Sequence, residues 1–267
     1  MMECMDKYFP ACVTHTSPEG GLFLFCTMPA AARNWLFKNG KSDYRIVLDR
    51  QASPSEKKAA EELQMYIKQI SGAQLPITDD ATSKGRRIFV GFGSAVADIT
   101  GAQKPEADDE GFTYRTVGKD LLIYGGAQRG SMYGVFSFLE DELGVKWLTP
   151  KCTVVPSMQK YALPRLDRSE KPALALRYDG HFAVEREPVW SAHNKENMKW
   201  NPTQNDYGNI EAYWNAHTMG QLLPAREFFE KHPEYFSLRD GKRIPNGQLC
   251  LSNPEVLEIC KTRLADV

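Results

Sequence analysis

Apolar residues recur at helical spacing in two parts of the chain. Ala59, Leu63, Tyr66, Ile67 and Ile70 fall on one helical face. Ser53 is placed to cap that helix, Pro54 suits its first position, Glu56 completes a capping box and Gly72 stops it. Met132, Val135, Phe136, Leu139 and Leu143 form the second stripe and predict a helix over 130–143. Short apolar runs predict strands at 44–48, 75–77 and 87–91. Residues 111–117 and 121–124 read as a hairpin turning at Gly118-Lys119-Asp120. The order β-α-β-β-β-β-α predicts an α/β unit, a small mixed sheet covered by two helices.

Beyond this unit the texture changes. Residues 146–150 and 153–156 lead out of it, and the Pro-bearing, charged stretch 163–172 reads as a linker. A new strand is expected at 173–178, followed by a long polar, aromatic-rich stretch to Thr218. Residues 235–238 read as extended, Asp240-Gly241 as a turn, and 248–252 as a strand of buried type. Asn253 as cap and Pro254 at the first position start a last helix. The expected division is a leader over 1–43, the α/β domain over 44–158, a linker over 159–172 and a second domain over 173–267. Within the leader, the apolar run 21–32 ends in small residues like a degraded or mis-started export signal. A leader or structural arm is the other reading, because Asp6 and Glu19 precede the run and Lys7 is the only basic residue there.

Charge and cysteine content narrow the function. With 33 basic and 34 acidic side chains the formal net charge is −1, and no basic excess exists to neutralise a phosphate backbone. Nucleic acid is therefore not an expected partner. No run of apolar residues is long enough to span a bilayer. The six cysteines show no metal-like spacing and read as buried thiols. Gly91-Phe92-Gly93 lacks a third glycine and a following helix cue, so no nucleotide site is read there. Gly125-Gly126 reads as a tight strand-to-helix turn or as an anion cradle. Neither cofactor nor metal is expected.

Two groups of motifs carry a resemblance. The strand at Ile46-Val47-Leu48, the helix from Pro54 to Gly72, and Gln128-Arg129-Gly130-Ser131-Met132-Tyr133-Gly134 with Gly144-Val145-Lys146-Trp147 resemble the accessory domain that precedes the catalytic barrel in α-glucuronidases of glycoside hydrolase family 67 and in hexosaminidase-like enzymes. His217-Thr218-Met219, Leu223-Pro224, His232-Pro233-Glu234-Tyr235-Phe236, Asp240-Gly241-Lys242-Arg243 and 248–254 resemble domain of unknown function 4838, common in Bacteroides-type polysaccharide degraders. The resemblance implies a glycosidase-like barrel behind the accessory domain. At roughly 30 residues per β/α unit the residues after Pro172 suffice for three units at most. The fold class expected is thus a mixed-sheet α/β domain followed by an incomplete (β/α)8-type barrel. The function expected is a glycoside hydrolase fragment acting on a poly- or oligosaccharide, in a periplasmic or extracellular setting. A non-catalytic carbohydrate-binding or docking module is the alternative.

Barrel active sites lie at the C-terminal ends of the strands. Arg177, Asp179 and His181 follow the first expected strand, Trp214 and His217 end the second, and Ser252 and Asn253 follow the third. Trp190 lies in the intervening loop, where its ring could face a sugar. These eight residues form the expected substrate-binding set, and the saccharide is the expected partner. Each has a plainer reading as well: Arg177 as one half of an ion pair, His217 and His181 as structural groups, Asn253 as a helix cap. The paired carboxylates that glycosidic cleavage requires are not assigned to any residue. An open barrel edge is expected to favour self-association.

Overall fold

The computed structural model describes residues 34–178, 186–199, 206–208, 210–211 and 218–265. The apolar run at 21–32 lies outside them, as do Asp179, His181, Trp214 and His217. Strand β2 (Tyr44–Leu48) leads through α1 (Pro54–Ser71) to β3 (Ile77–Thr78) and β4 (Arg86–Val90). Helix α2 (Ser94–Thr100), the hairpin β5 (Phe112–Val117) and β6 (Asp120–Gly125), and α3 (Gly130–Asp141) follow. The capping box at Ser53 and Glu56 is formed, and Gly72 takes the left-handed conformation that ends α1.

Six strands form one mixed sheet in the order β10-β5-β6-β4-β2-β3. Strands β2, β3, β4 and β6 are parallel, while β5 runs antiparallel to β6 and to β10 (Asp167–Glu170). Strand alternation sends Ile46, Ile88, Val90, Leu121 and Ile123 to the face covered by α1 and α3. Val47, Phe89, Leu122 and Tyr124 point the other way and meet Val96 of α2.

The first unit and the residues that follow it differ from the sequence reading in several places. Residues 35–38, expected as leader, form β1 (Trp35–Lys38), which pairs with β9 (Lys160–Ala162) and buries Leu36 and Phe37. Residues 167–170, expected as linker, are the edge strand β10. Its sequence is charged because an edge strand facing water has no need of apolar alternation, and charge guards a sheet edge. Helix α2 follows Gly93, where no helix was expected. Residues 173–178 form no strand. The backbone of Arg177 pairs instead with Asn197, its N–H donating to Asn197 Oδ1 at 2.8 Å and its carbonyl accepting from the Asn197 N–H at 3.1 Å.

The pair β7 (Lys146–Thr149) and β8 (Cys152–Val154) forms a short hairpin, and α4 (Pro188–His193) packs behind it through Ala192 and Trp190. A two-residue parallel pair, β11 (Met198–Lys199) with β12 (Ile210–Glu211), follows. Residues 218–265 gather round a separate cluster of Leu222, Leu223, Tyr235, Phe236, Leu249, Val256 and Cys260. There, β13 (Leu238–Arg239) and β14 (Lys242–Arg243) meet at the expected Asp240-Gly241 turn, with both turn residues at positive φ. The run 248–252 supplies one bridge, Leu249 to Phe236, rather than a full strand. Leu174 and Leu251 are 66% and 67% exposed, whereas Leu249 is buried.

Candidate functional site

The densest polar chemistry among the described residues lies where the first unit meets residues 174–208. It is built on two buried acids, Glu62 and Glu110. Glu62 lies on the apolar face of α1, between Ala59 and Tyr66, and is buried. Its carboxylate meets His193 Nε2 through one oxygen and accepts from Tyr207 Oη at 2.6 Å through the other. His193 stacks on Trp147 with centroids 4.4 Å apart and meets the Phe136 ring edge-on at 4.7 Å. Trp147 Nε1 donates to Tyr66 Oη at 2.7 Å, and Trp190 Nε1 donates to the Trp147 carbonyl at 3.0 Å. A buried carboxylate is tolerated only when paired and hydrogen-bonded, and Glu62 is both.

Glu110 is the second acid. It sits just before β5 and receives Arg129 on one oxygen and Arg177 on the other. Asn197 Nδ2 also donates to it, at 2.9 Å. Arg129 reaches on to the carbonyl of Gly208, and Arg177 Nε donates to the carbonyl of Lys195 at 2.7 Å. A Cβ on Gly208 would stand 1.9 Å from the Gln128 carbonyl oxygen, so only glycine admits this approach. Glu62 and Glu110 thus fasten one covalent neighbourhood to another. Charge-assisted bonds in a dry seam are strong, and each is lost whole if its partner leaves.

The expected site residues divide accordingly. Arg177 belongs to this seam, in the ion pair that was its plainer reading, with its three guanidinium nitrogens on Glu110 and two carbonyls. Trp190 packs against the main core as well. Ser252 is exposed beside Cys250, and Asn253 Oδ1 accepts the Glu255 N–H at 2.9 Å as the cap of α5 (Pro254–Ala265). Cys250 has its thiol pKa lowered by the Ser252 hydroxyl and by Arg243. No hydrogen bond between described residues joins Ser252 or Asn253 to Arg177 or Trp190. The sequence reading missed Glu62, Glu110, His193 and Asn197. For Glu62 a signal existed: an acid three residues after Ala59 and four before Tyr66 stands inside an apolar stripe. Gly125 and Gly126 resolve to the tight turn, since a Cβ on them would stand 2.2 Å and 2.1 Å from the carbonyl oxygens of Gly111 and Asp109.

The seam's tyrosines predict alkaline behaviour. Burial first, then Glu62, pushes the Tyr207 phenol well above the usual range, and burial with Glu110 does the same to Tyr133. Tyr66 is raised by burial. A folded pKa above the unfolded value of about 10 means that the neutral phenol is the form folding favours. This stability is fully present below pH ~10 and is lost as pH rises through the folded values. Urea unfolding at stepped pH should show stability falling above pH ~10, more gently in Tyr207→Phe, which lacks one of the titrating groups. A flat profile would show that these phenols are open to solvent.

The α/β unit is thus joined by two buried acids to described residues between 174 and 208, and comparison with known families gives the class. Residues 37–138 match the family model described as glycosyl hydrolase family 67 N-terminus, and residues 147–267 match domain of unknown function DUF4838. The two matches follow one another along the chain, which is similar to a family 67 N-terminus in its first part and to DUF4838 in its second. It is 35% identical over 83 residues to "Probable alpha-glucuronidase A" of Neosartorya fischeri, covering 30% of this chain and 10% of that protein. A solved family GH115 4-O-methyl-alpha-glucuronidase, described as having specificity for decorated arabinogalactans, superposes with a TM-score of 0.57 at 13% identity. That likeness covers 86% of this chain and 40% of the other and concerns the fold alone. The chain thus spans less than half the length of either of these two proteins. Strands β9 and β10 fall inside the DUF4838 match yet complete the sheets of the first unit, so the two family segments share one core.

Proposed function

We propose that this chain is part of a carbohydrate-active protein of the glycoside hydrolase type. In this reading it acts on a poly- or oligosaccharide outside the cytoplasm, with the sheet unit serving as the rigid mount for the second domain. The observation that carries the reading is the family 67 N-terminus match over 37–138 running directly into the DUF4838 match. The stretch shared with the probable α-glucuronidase adds weight to uronic-acid-bearing glycans as substrates. Asp179, His181, Trp214, His217, Ser252 and Asn253 are the proposed saccharide contacts. Arg177 and Trp190 act at one remove, by fixing the loops that lead to those residues. Among the described residues no helix is long and apolar enough to cross a membrane. The exposed Leu174, Leu176 and Leu251 are the proposed route of self-association.

Affinity electrophoresis in gels containing glucuronoxylan or arabinogalactan tests the reading. The chain should be retarded, and Trp214→Ala with His217→Ala should migrate freely while keeping the native circular dichroism spectrum. Equal migration of the native chain with and without every polysaccharide would remove the carbohydrate reading for this chain. Retardation unchanged in the double variant would move both residues out of the site.

A further inference from the structure

A concave site lies at the carboxyl ends of the parallel strands of the sheet unit. From β2 the chain crosses through α1 to β3 at one side, whereas from β4 it proceeds through α2 and β5 to β6 on the other. Helix α1 covers the face carrying Ile46 and Ile88, and α2 covers the face carrying Val47 and Phe89. Strand order and helix side therefore reverse between β2 and β4. In open parallel sheets that divergence opens a crevice beyond the strands' carboxyl ends, the usual place for a ligand. Here the crevice has a volume of about 890 Å³ and is walled by the turns that follow β2, β3, β4 and β6. That is within the range of small-molecule sites.

Its chemistry is specific. The turn after β4 runs Gly91-Phe92-Gly93 and passes close to two carboxylates, Asp49 in the turn after β2 and Glu56 in the first turn of α1. A Cβ on Gly93 would stand 2.5 Å from Asp49 Oδ2, and one on Gly91 2.5 Å from Glu56 Oε1. Asp49 is steadied by the Gln51 N–H at 2.9 Å, and the Asp80 carboxylate by Thr82. Phe92, half-buried, leans edge-on against Tyr124 at 5.6 Å and forms part of the wall. Four carboxylates line the crevice, Asp49, Glu56, Asp79 and Asp80, against two cations, Arg50 and Lys104. Arg50 is already paired to Asp79 at 3.0 Å. An anionic ligand would meet net repulsion there. A ligand with many hydroxyl donors and an apolar ring face would find acceptors and a phenyl ring.

We propose that this crevice is a binding site for a neutral glycosyl unit, with Asp49 and Asp80 accepting from its hydroxyls and Phe92 against its ring face. The proposal rests on the carbohydrate reading above.

Amide-resolved NMR titration of the 267-residue chain tests it, with xylotriose and galactobiose as neutral probes and glucuronic acid as the anionic one. Neutral probes should shift amides at 49–52, 80–82 and 91–95, and glucuronic acid should leave them still. Asp49→Asn and Phe92→Ala should each weaken binding about tenfold, which corresponds to ~1.4 kcal/mol. The shift map is independent of the variants should either destabilise the fold. Neutral-sugar shifts falling elsewhere, with both variants binding normally, would overturn the crevice and leave the carbohydrate reading standing. Silence with neutral sugars in a chain still retarded by polysaccharide would do the same. Preferential binding of glucuronic acid at these amides would overturn the proposed ligand class.

Discussion

Glu110→Ala should destabilise the protein by about 3–5 kcal/mol, the cost of stranding a buried charge by removing its partner. Glu110 and Arg129 are both buried, and Arg177 meets the second carboxylate oxygen from a different part of the chain. Without the acid, Arg129 keeps the Gly208 carbonyl and no counter-charge among the described residues. Asn197 loses the acceptor for one of its amide hydrogens. A domain's whole stability is about 5–15 kcal/mol, so this loss is a large share of it. Glu110→Gln keeps one acceptor and the shape, and should fall between the variant and the native protein. Asp79→Ala is the control, since the Arg50–Asp79 pair is 83% and 56% exposed and such pairs contribute about 0–1 kcal/mol. Urea denaturation measures all three. A Glu110→Ala cost near that of the control would mean that water reaches the seam and that the two family segments are only loosely joined.

The first unit was legible because its signals are local. The capping box, the Gly72 stop and the stripe of α1 lie within twenty residues of one another and needed no tertiary information. The hairpin of β5 and β6 was readable for the same reason. What escaped depends on partners far along the chain. Strand β10 is four polar or charged residues whose only claim to a sheet is the free edge of β5. Helix α2 buries Val96 alone, too little for a stripe. Strand β1 needs β9, which lies beyond the second helix. The seam is the extreme case: Glu62 meets His193 and Tyr207 across separations of 131 and 145 residues. In sequence, Asp108-Asp109-Glu110 is a run of acids that reads as solvated surface, and only the arrival of Arg129, Arg177 and Asn197 makes its last member a core residue. Arg177 entered the expected set because it follows a strand expected at 173–178, which does not form, and its plainer reading as one half of an ion pair is the arrangement found, with Glu110.

Phe136→Ala should cost about 3–5 kcal/mol, the range for deleting a fully buried aromatic side chain. Its consequences should reach past α3. The ring is completely buried, meets Trp147 edge-on at 5.8 Å and His193 at 4.7 Å, and so supports the stack on which α4 rests. The void left behind would adjoin the His193 ring, whose Nε2 meets Glu62. Two costs then add at one place: lost packing, and a looser hold on a buried acid. Phe136→Leu refills most of the volume and should recover the greater part of the stability. Hydrogen exchange separates the two costs. In Phe136→Ala the amides of 188–197 should lose protection well before those of β4 and β6, because α4 depends on the stack while the central strands depend on the whole sheet. If protection fell uniformly, the sheet and the residues docked on it would unfold as one unit, and the seam would be no weaker than the core beneath it. If 188–197 kept native protection while the sheet lost it, His193 and Trp147 would be holding α4 without help from Phe136, and the stack would not be the support described here.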